Sequence, residues 1–153
     1  MTTRVRRFHL TELLTRNGFA CSNGTLSTSG AHGRRVAARD GQLAAYASRL
    51  FDAEFVLSPN GKGRACHREW EALVAGAIPL VDWDPSRAVA ELYEGLPVVR
   101  VKDWSQISTY FLRNELQRIQ AAARRREIDL KKLYLPYWIA RFTEHLHEAR
   151  GNS

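Results

Sequence analysis

Residues 55–81 read FVLSPNGKGRACHREWEALVAGAIPLV, a run that few folds accommodate. Phe55-Val56-Leu57 is a short apolar stretch of the kind buried on both faces of a sheet. Ser58-Pro59-Asn60-Gly61-Lys62-Gly63 then strings turn-forming residues together, so the strand must end in a loop. Helical spacing takes over from Cys66 to Ala75, with Trp70, Leu73 and Val74 on one face and Gly76 placed as a C′ glycine. Ala77-Ile78-Pro79-Leu80-Val81 predicts a second buried strand, whose proline suits an early or edge position. Strand, glycine loop, helix and strand make one βαβ unit. A right-handed crossover puts its loop and helix N-terminus at the carboxyl edge of a parallel sheet, where such sheets bind ligands.

The flanking sequence extends this unit in both directions. Val5, Phe8, Leu13 and Leu14 predict an amphipathic helix ended by Asn17-Gly18, and Phe19-Ala20-Cys21 a short strand. Ser22 to Gly33, rich in Ser, Thr and Gly, reads as a loop, after which Asp40 is placed to cap a helix with Leu43, Tyr46, Ala47 and Leu50 on one stripe. Beyond Val81, a short helix through Glu91-Leu92-Tyr93 leads to a last strand at Val98–Val101. Asp103 is placed to cap the following helix, with Trp104 on its first turn, and helical pattern runs from Ile107 to about Glu148 with breaks near Ile128-Asp129 and at Pro136. The expectation is a single α/β domain over 1–153. It is a Rossmann-like, three-layer domain with a mainly parallel sheet, a core over about 4–104 and a helical C-terminal extension over about 105–148.

Composition narrows the function classes without choosing one. With 44% apolar and 25% charged residues, the 153-residue chain can bury a real core and does not read as disordered. No run of about 18 apolar residues suggests a membrane span, and the charged N-terminus lacks the apolar segment of a signal peptide. Cys21 and Cys66 make no disulfide framework. Asn23-Gly24-Thr25 fits a glycosylation acceptor, relevant only on the secretory route. The net charge of +7 is carried mostly by arginine, which suits planar anions such as a nucleotide diphosphate, nucleic acid or an acidic polysaccharide. No nucleic-acid-binding motif accompanies it.

Around the glycine loop, Arg64 stands where a Walker A motif needs Ser or Thr, and the glycine spacing of dinucleotide folds is missing. A general anion site remains: loop amides, the helix dipole, Lys62, Arg64 and Arg68 converge on one point. The alternative is a loop with solvated charges. His67 and Glu71, four apart, share a helix face, but no third ligand lies nearby and no metal site is expected. Glu71 either complements the helix dipole or accepts two ribose hydroxyls. No nucleophile elbow is present.

These stretches, with LYEGLPVVRVKDWSQIS further on, resemble the nucleotide-sugar half of exostosin-like glycosyltransferases. The family pattern runs F-L-S-P-x-G-x-G, C-H-R-x-W-E-A-L, G-x-I-P-V-V, L-Y-E-x-L-P-V, a D-W pair, and a late K-L with Y-W. It matches here from Phe55 through Pro79, at Tyr93, Glu94 and Pro97, at Asp103-Trp104, and at Lys132-Leu133 and Tyr137-Trp138. The likeness covers about Arg4 to Leu146. Asn60, Lys62 and Ala65 depart from it, standing where the family has Arg, Asn and Asp.

The resemblance implies the C-terminal domain of a GT-B enzyme, in which two Rossmann-like domains face each other and the C-terminal one holds the donor. It implies sugar transfer from a nucleotide diphosphate sugar to a glycan or protein hydroxyl, with no further cofactor. Ser58, Pro59, Gly61, Lys62, Gly63 and His67 would then hold the diphosphate end of the site, Arg68 would neutralise the leaving group, and Glu71 would bind the ribose. The acceptor domain and membrane anchor of the family, usual for Golgi or endoplasmic reticulum enzymes, are not in this sequence. No catalytic base is therefore named, and a second domain or subunit is the expected partner. A catalytically silent remnant that keeps the fold and an arginine-rich polyanion binder are the alternatives.

Overall fold

The computed structural model describes residues 10, 12–17, 19, 32–61, 65 and 67–151. In chain order these form α1 (His32–Phe51), β1 (Phe55–Ser58), α2 (His67–Val74), β2 (Ile78–Asp82), α3 (Arg87–Tyr93), β3 (Val99–Val101), α4 (Thr109–Arg124) and α5 (Leu135–Gly151). Single 3-10 turns stand at Trp104–Gln106 and Lys131–Leu133, and residues 12–16 are helical. The three described strands are parallel in the order β1-β2-β3, with Leu57 opposite Leu80 and Leu80 opposite Val99.

Alternation along β2 builds two cores. Ile78 and Leu80 point to one face, where Leu10, Leu14, Val99, Val101, Trp104, Ile107 and Ile119 of α4 cover them. Val81 points to the other, against Leu73 of α2, Tyr93 of α3, Leu96 and Val98. Helices on both faces of a parallel sheet give the expected three layers, and every residue of β2 is buried. Pro79 is tolerated in this central strand because of where pairing begins. The Ile78 amide turns to β1, donating to Glu54 O at 2.9 Å, so position 79 turns to β3, whose pairing starts only at Leu80↔Val99. The missing donor thus falls ahead of the ladder, at an early but not an edge position.

α2 stops in a Schellman motif: the Ala77 amide reaches Ala72 O at 2.9 Å, the Gly76 amide reaches Leu73 O at 3.1 Å, and Gly76 has φ +84°. The helix ends at Val74, one residue short of the expected Ala75, and Val74 is exposed instead of sharing the buried face of Leu73. Asp40 lies inside α1, not at its start, because Arg34, Arg35, Ala37 and Ala38 are helix formers that extend it toward His32. Leu43 likewise is exposed while Leu50 is buried. Phe19 is not in a strand, and the rest of the first expected helix and strand lies outside the described residues.

The C-terminal region breaks at 125–134, where Arg126 takes φ 59°, and Pro136 sits in the first turn of α5 instead of interrupting it. The late K-L and Y-W residues form a clasp. Lys132 Nζ donates to the Glu91 and Glu94 carbonyls at 2.5 and 2.8 Å, closing the C-terminal end of α3, and the Trp138 indole donates to Lys132 O at 2.8 Å. Trp138 also meets Trp70 of α2 edge-on, with centroids 6.3 Å apart. Beyond it, Ile139, Phe142 and Leu146 of α5 are exposed. None of the helices is long and apolar enough to cross a membrane among the described residues.

Burial predicts which of these side chains carry stability. Ile119→Ala, at a position 7% exposed, is expected to cost about 2–5 kcal/mol in chemical denaturation, whereas Phe142→Ala, 67% exposed, stays within about 0.5 kcal/mol. Equal losses would contradict the burial of α4 and the exposure of α5.

Candidate functional site

Ser58 ends β1 at the carboxyl edge of the sheet and is wholly buried, and its hydroxyl has no hydrogen-bond partner among the described residues. Pro59 is buried behind it, and the chain turns outward through Asn60 and Gly61. The turn is held by Asp82, the last residue of β2. The Asn60 amide donates to Asp82 Oδ2 at 2.7 Å, and the Trp104 indole N–H donates to Asp82 Oδ1 at 2.7 Å. Trp104 belongs to the turn directly after β3 and is itself buried, and Asp103 fixes that turn by accepting from the Ser105 amide at 2.9 Å. One carboxylate therefore links the carboxyl ends of all three strands. Two charge-assisted hydrogen bonds offset the cost of keeping it out of water.

On α2, His67 is exposed at the first position, Arg68 is half-buried, and Glu71 is exposed one turn later. Residues three apart lie on one helix face, so Arg68 and Glu71 are neighbours. Tyr46 of α1 joins them: its hydroxyl donates to Glu71 Oε2 at 2.7 Å. Burial, then the Glu71 hydrogen bond and charge, push the Tyr46 phenol up to about 12, with Arg68 pulling the other way. The phenol consequently stays a donor throughout the neutral range. Glu69, between them in sequence, turns inward and is wholly buried, with a partner of its own.

Of the expected site residues, Ser58, Pro59 and Gly61 thus lie on the turn after β1, while Arg68 and Glu71 come together on α2 with His67 at its exposed start. Lys62 and Gly63, with Arg64 and Cys66, lie outside the described residues. Asp82 and Tyr46 are the additions. Asp82 closes an otherwise apolar strand, and a lone acid in that place beside a glycine loop is the signal that marks it. Tyr46 sits among apolar stripe positions, and nothing in that pattern distinguishes it. Among the described residues, no group of three or more His, Cys, Asp or Glu comes together as a metal site would require. A groove of about 630 Å³ runs along β3, between Glu91 of α3 with Glu94 just after it and Phe111 and Glu115 of α4. It contains none of the expected site residues and is lined by the charged side chains of Glu91, Glu94, Arg100, Glu115 and Arg118 together with apolar ones.

The Asp82 link is testable by removing one acceptor while keeping the shape. Asp82→Asn turns an N–H toward the Asn60 amide or the Trp104 indole and is expected to cost about 1–3 kcal/mol of stability, read by denaturation. An unchanged midpoint would mean the two bonds do not form. The phenol makes a second test: in an absorbance titration Tyr46 should remain protonated at pH 10, where an ordinary tyrosine is half ionised. Its raised value means that the stability it adds is fully present below about pH 10 and is lost as pH climbs through about 12. A phenol missing from the Tyr46→Phe titration only at ordinary pH would contradict the contact.

No curated protein matches the chain. The family described as RXYLT1 C-terminal domain does match, over residues 6–149. That span takes in β1, α2 and β2, the Asp82 link, the Tyr46–Glu71 pair and the Lys132–Trp138 clasp. This is a xylosyltransferase and exostosin-like family, in agreement with the motif resemblance, and it makes the role of the chain glycosyltransferase-related. On that coverage, the chain belongs to the RXYLT1 C-terminal domain family.

Proposed function

We propose that this chain is the donor-binding domain of a glycosyltransferase of GT-B type. It would hold a nucleotide diphosphate sugar for transfer to a hydroxyl acceptor. The observation that carries the reading is the pairing of Arg68 and Glu71 on one face at the start of α2, directly behind the turn that leaves β1. A parallel sheet offers its ligand site at that edge, and a helix start favours anions. In this scheme the Ser58–Gly63 segment and the first turn of α2 hold the diphosphate, Arg68 balances its charge, and Glu71 accepts the ribose hydroxyls.

In the reaction, the bond from the sugar's anomeric carbon to the diphosphate oxygen breaks, and the electron pair leaves with the diphosphate. The acceptor oxygen forms the new bond to that carbon and gives up its proton to a base. Arg68 and the helix dipole would favour departure by stabilising charge that grows on the leaving oxygen. The base belongs to the second wall of the cleft, supplied by a further domain or subunit. Golgi residence and a glycan or protein acceptor belong to the same proposal.

Binding and turnover should therefore separate. In calorimetric titrations, uridine or guanosine diphosphate is expected to bind the 153-residue chain, and Arg68→Ala or Glu71→Ala to weaken binding roughly ten- to a hundred-fold. Stability in both variants should change by no more than about 1 kcal/mol. The chain alone should transfer no sugar. Unchanged binding in both variants would remove the site. Binding of RNA but of no nucleotide would favour the polyanion reading, to which the net charge of +7 gives its support.

A further inference from the structure

We propose that Tyr46 is a positioning residue of the nucleotide site, holding the Glu71 carboxylate in the orientation that receives the ribose. The proposal rests on the reading of Glu71 as the ribose residue and adds a second element, α1, to a site otherwise built from the βαβ unit.

The geometry is specific. The Tyr46 hydroxyl donates to Glu71 Oε2 at 2.7 Å, across 25 residues of sequence and between two helices. Glu71 is exposed, and an exposed glutamate samples several rotamers unless something holds it. A phenol is well suited to hold it, because it has one donor on a rigid ring with few torsions. Tyr46 is half-buried, so the ring is fixed on α1 while its oxygen reaches the α2 surface.

The carboxylate keeps enough capacity for a ligand. An ionised carboxylate offers about four lone-pair sites, and the phenol uses one of them. Oε1 and the second lone pair of Oε2 remain for two neighbouring hydroxyls. Arg68, one turn earlier on the same face, is close enough to act on the same phenol. The three side chains thus form one connected group centred on the phenol.

The contact is a minor one for the fold. A hydrogen bond to an exposed carboxylate contributes little to stability, and the apolar stripe of α1 is anchored by the buried Leu50. The function left for it is preorganisation: a carboxylate fixed before the ligand arrives has no rotamer freedom to lose on binding.

The test compares uridine diphosphate with its 2′,3′-dideoxy analogue in four full-length proteins: wild type, Tyr46→Phe, Glu71→Ala and the double variant. Wild type should prefer the ribonucleotide. Glu71→Ala should lose that preference, because the acceptor is gone. Tyr46→Phe should bind the ribonucleotide roughly two- to ten-fold more weakly and the dideoxy analogue as well as wild type does. In the double variant the tyrosine change should have no further effect, since its action passes through Glu71. Equal weakening toward both nucleotides in Tyr46→Phe, or none toward either, would overturn the positioning role while the loss in Glu71→Ala upheld the ribose reading. A wild type that binds both nucleotides alike, or neither, would overturn the ribose reading and the positioning role with it. Loss of a cooperative melt in Tyr46→Phe would make the hydroxyl part of the fold and overturn the proposal on its own.

Discussion

Asp82 ends the central strand, and its two oxygens reach in different directions, one to the Asn60 amide and the other to the Trp104 indole. A carboxylate in that position has lost most of its water, which is tolerable only because both oxygens meet strong donors. The consequence is mechanical. The turn after β1, the end of β2 and the turn after β3 are tied at one point, so the carboxyl edge of the sheet is a fixed platform. A ligand site needs such a platform, since hydrogen-bonding groups half an ångström out of place lose much of their value. Ser58 and Pro59 are buried directly beneath it, which leaves the outward run from Asn60 little freedom at its base.

The side chains of the candidate site come from α2 and α1. α2 is eight residues long and divides its charges cleanly. Glu69 turns inward and is buried, Arg68 and Glu71 face outward together, and the Tyr46 hydroxyl bridges toward them from α1. The helix is closed at its far end by Gly76, whose positive φ lets the chain reverse and enter β2 at once. Its outer flank meets Trp138, which the Lys132 clasp ties to the end of α3. The late motif residues Lys132 and Trp138 thus brace α2 from its outer flank.

Much of this was legible in the sequence because local signals agreed with the fold. The apolar runs of β1 and β2, the turn residues between them and Gly76 at the helix end each specify one conformation, and they specify compatible ones. Asp103 as a cap is of the same kind. The failures have physical causes. Asp40 is a good capping residue, yet the arginines and alanines before it favour helix more strongly. Pro136 reads as a break, yet the first turn of a helix has no use for its missing amide. Within the site, Arg68 and Glu71 stood out by spacing along one helix. Tyr46 and Asp82 act across 25 and 22 residues, a separation that no periodicity reports.

Hydrogen exchange with and without a nucleoside diphosphate tests the central claim, that the edge carrying Arg68 and Glu71 is the ligand site, most directly. Slowed exchange confined to residues 58–71, with α1 around Tyr46, is the expected result. Slowed exchange along β3 and the facing sides of α3 and α4 instead, or no change anywhere at saturating nucleotide, would contradict it.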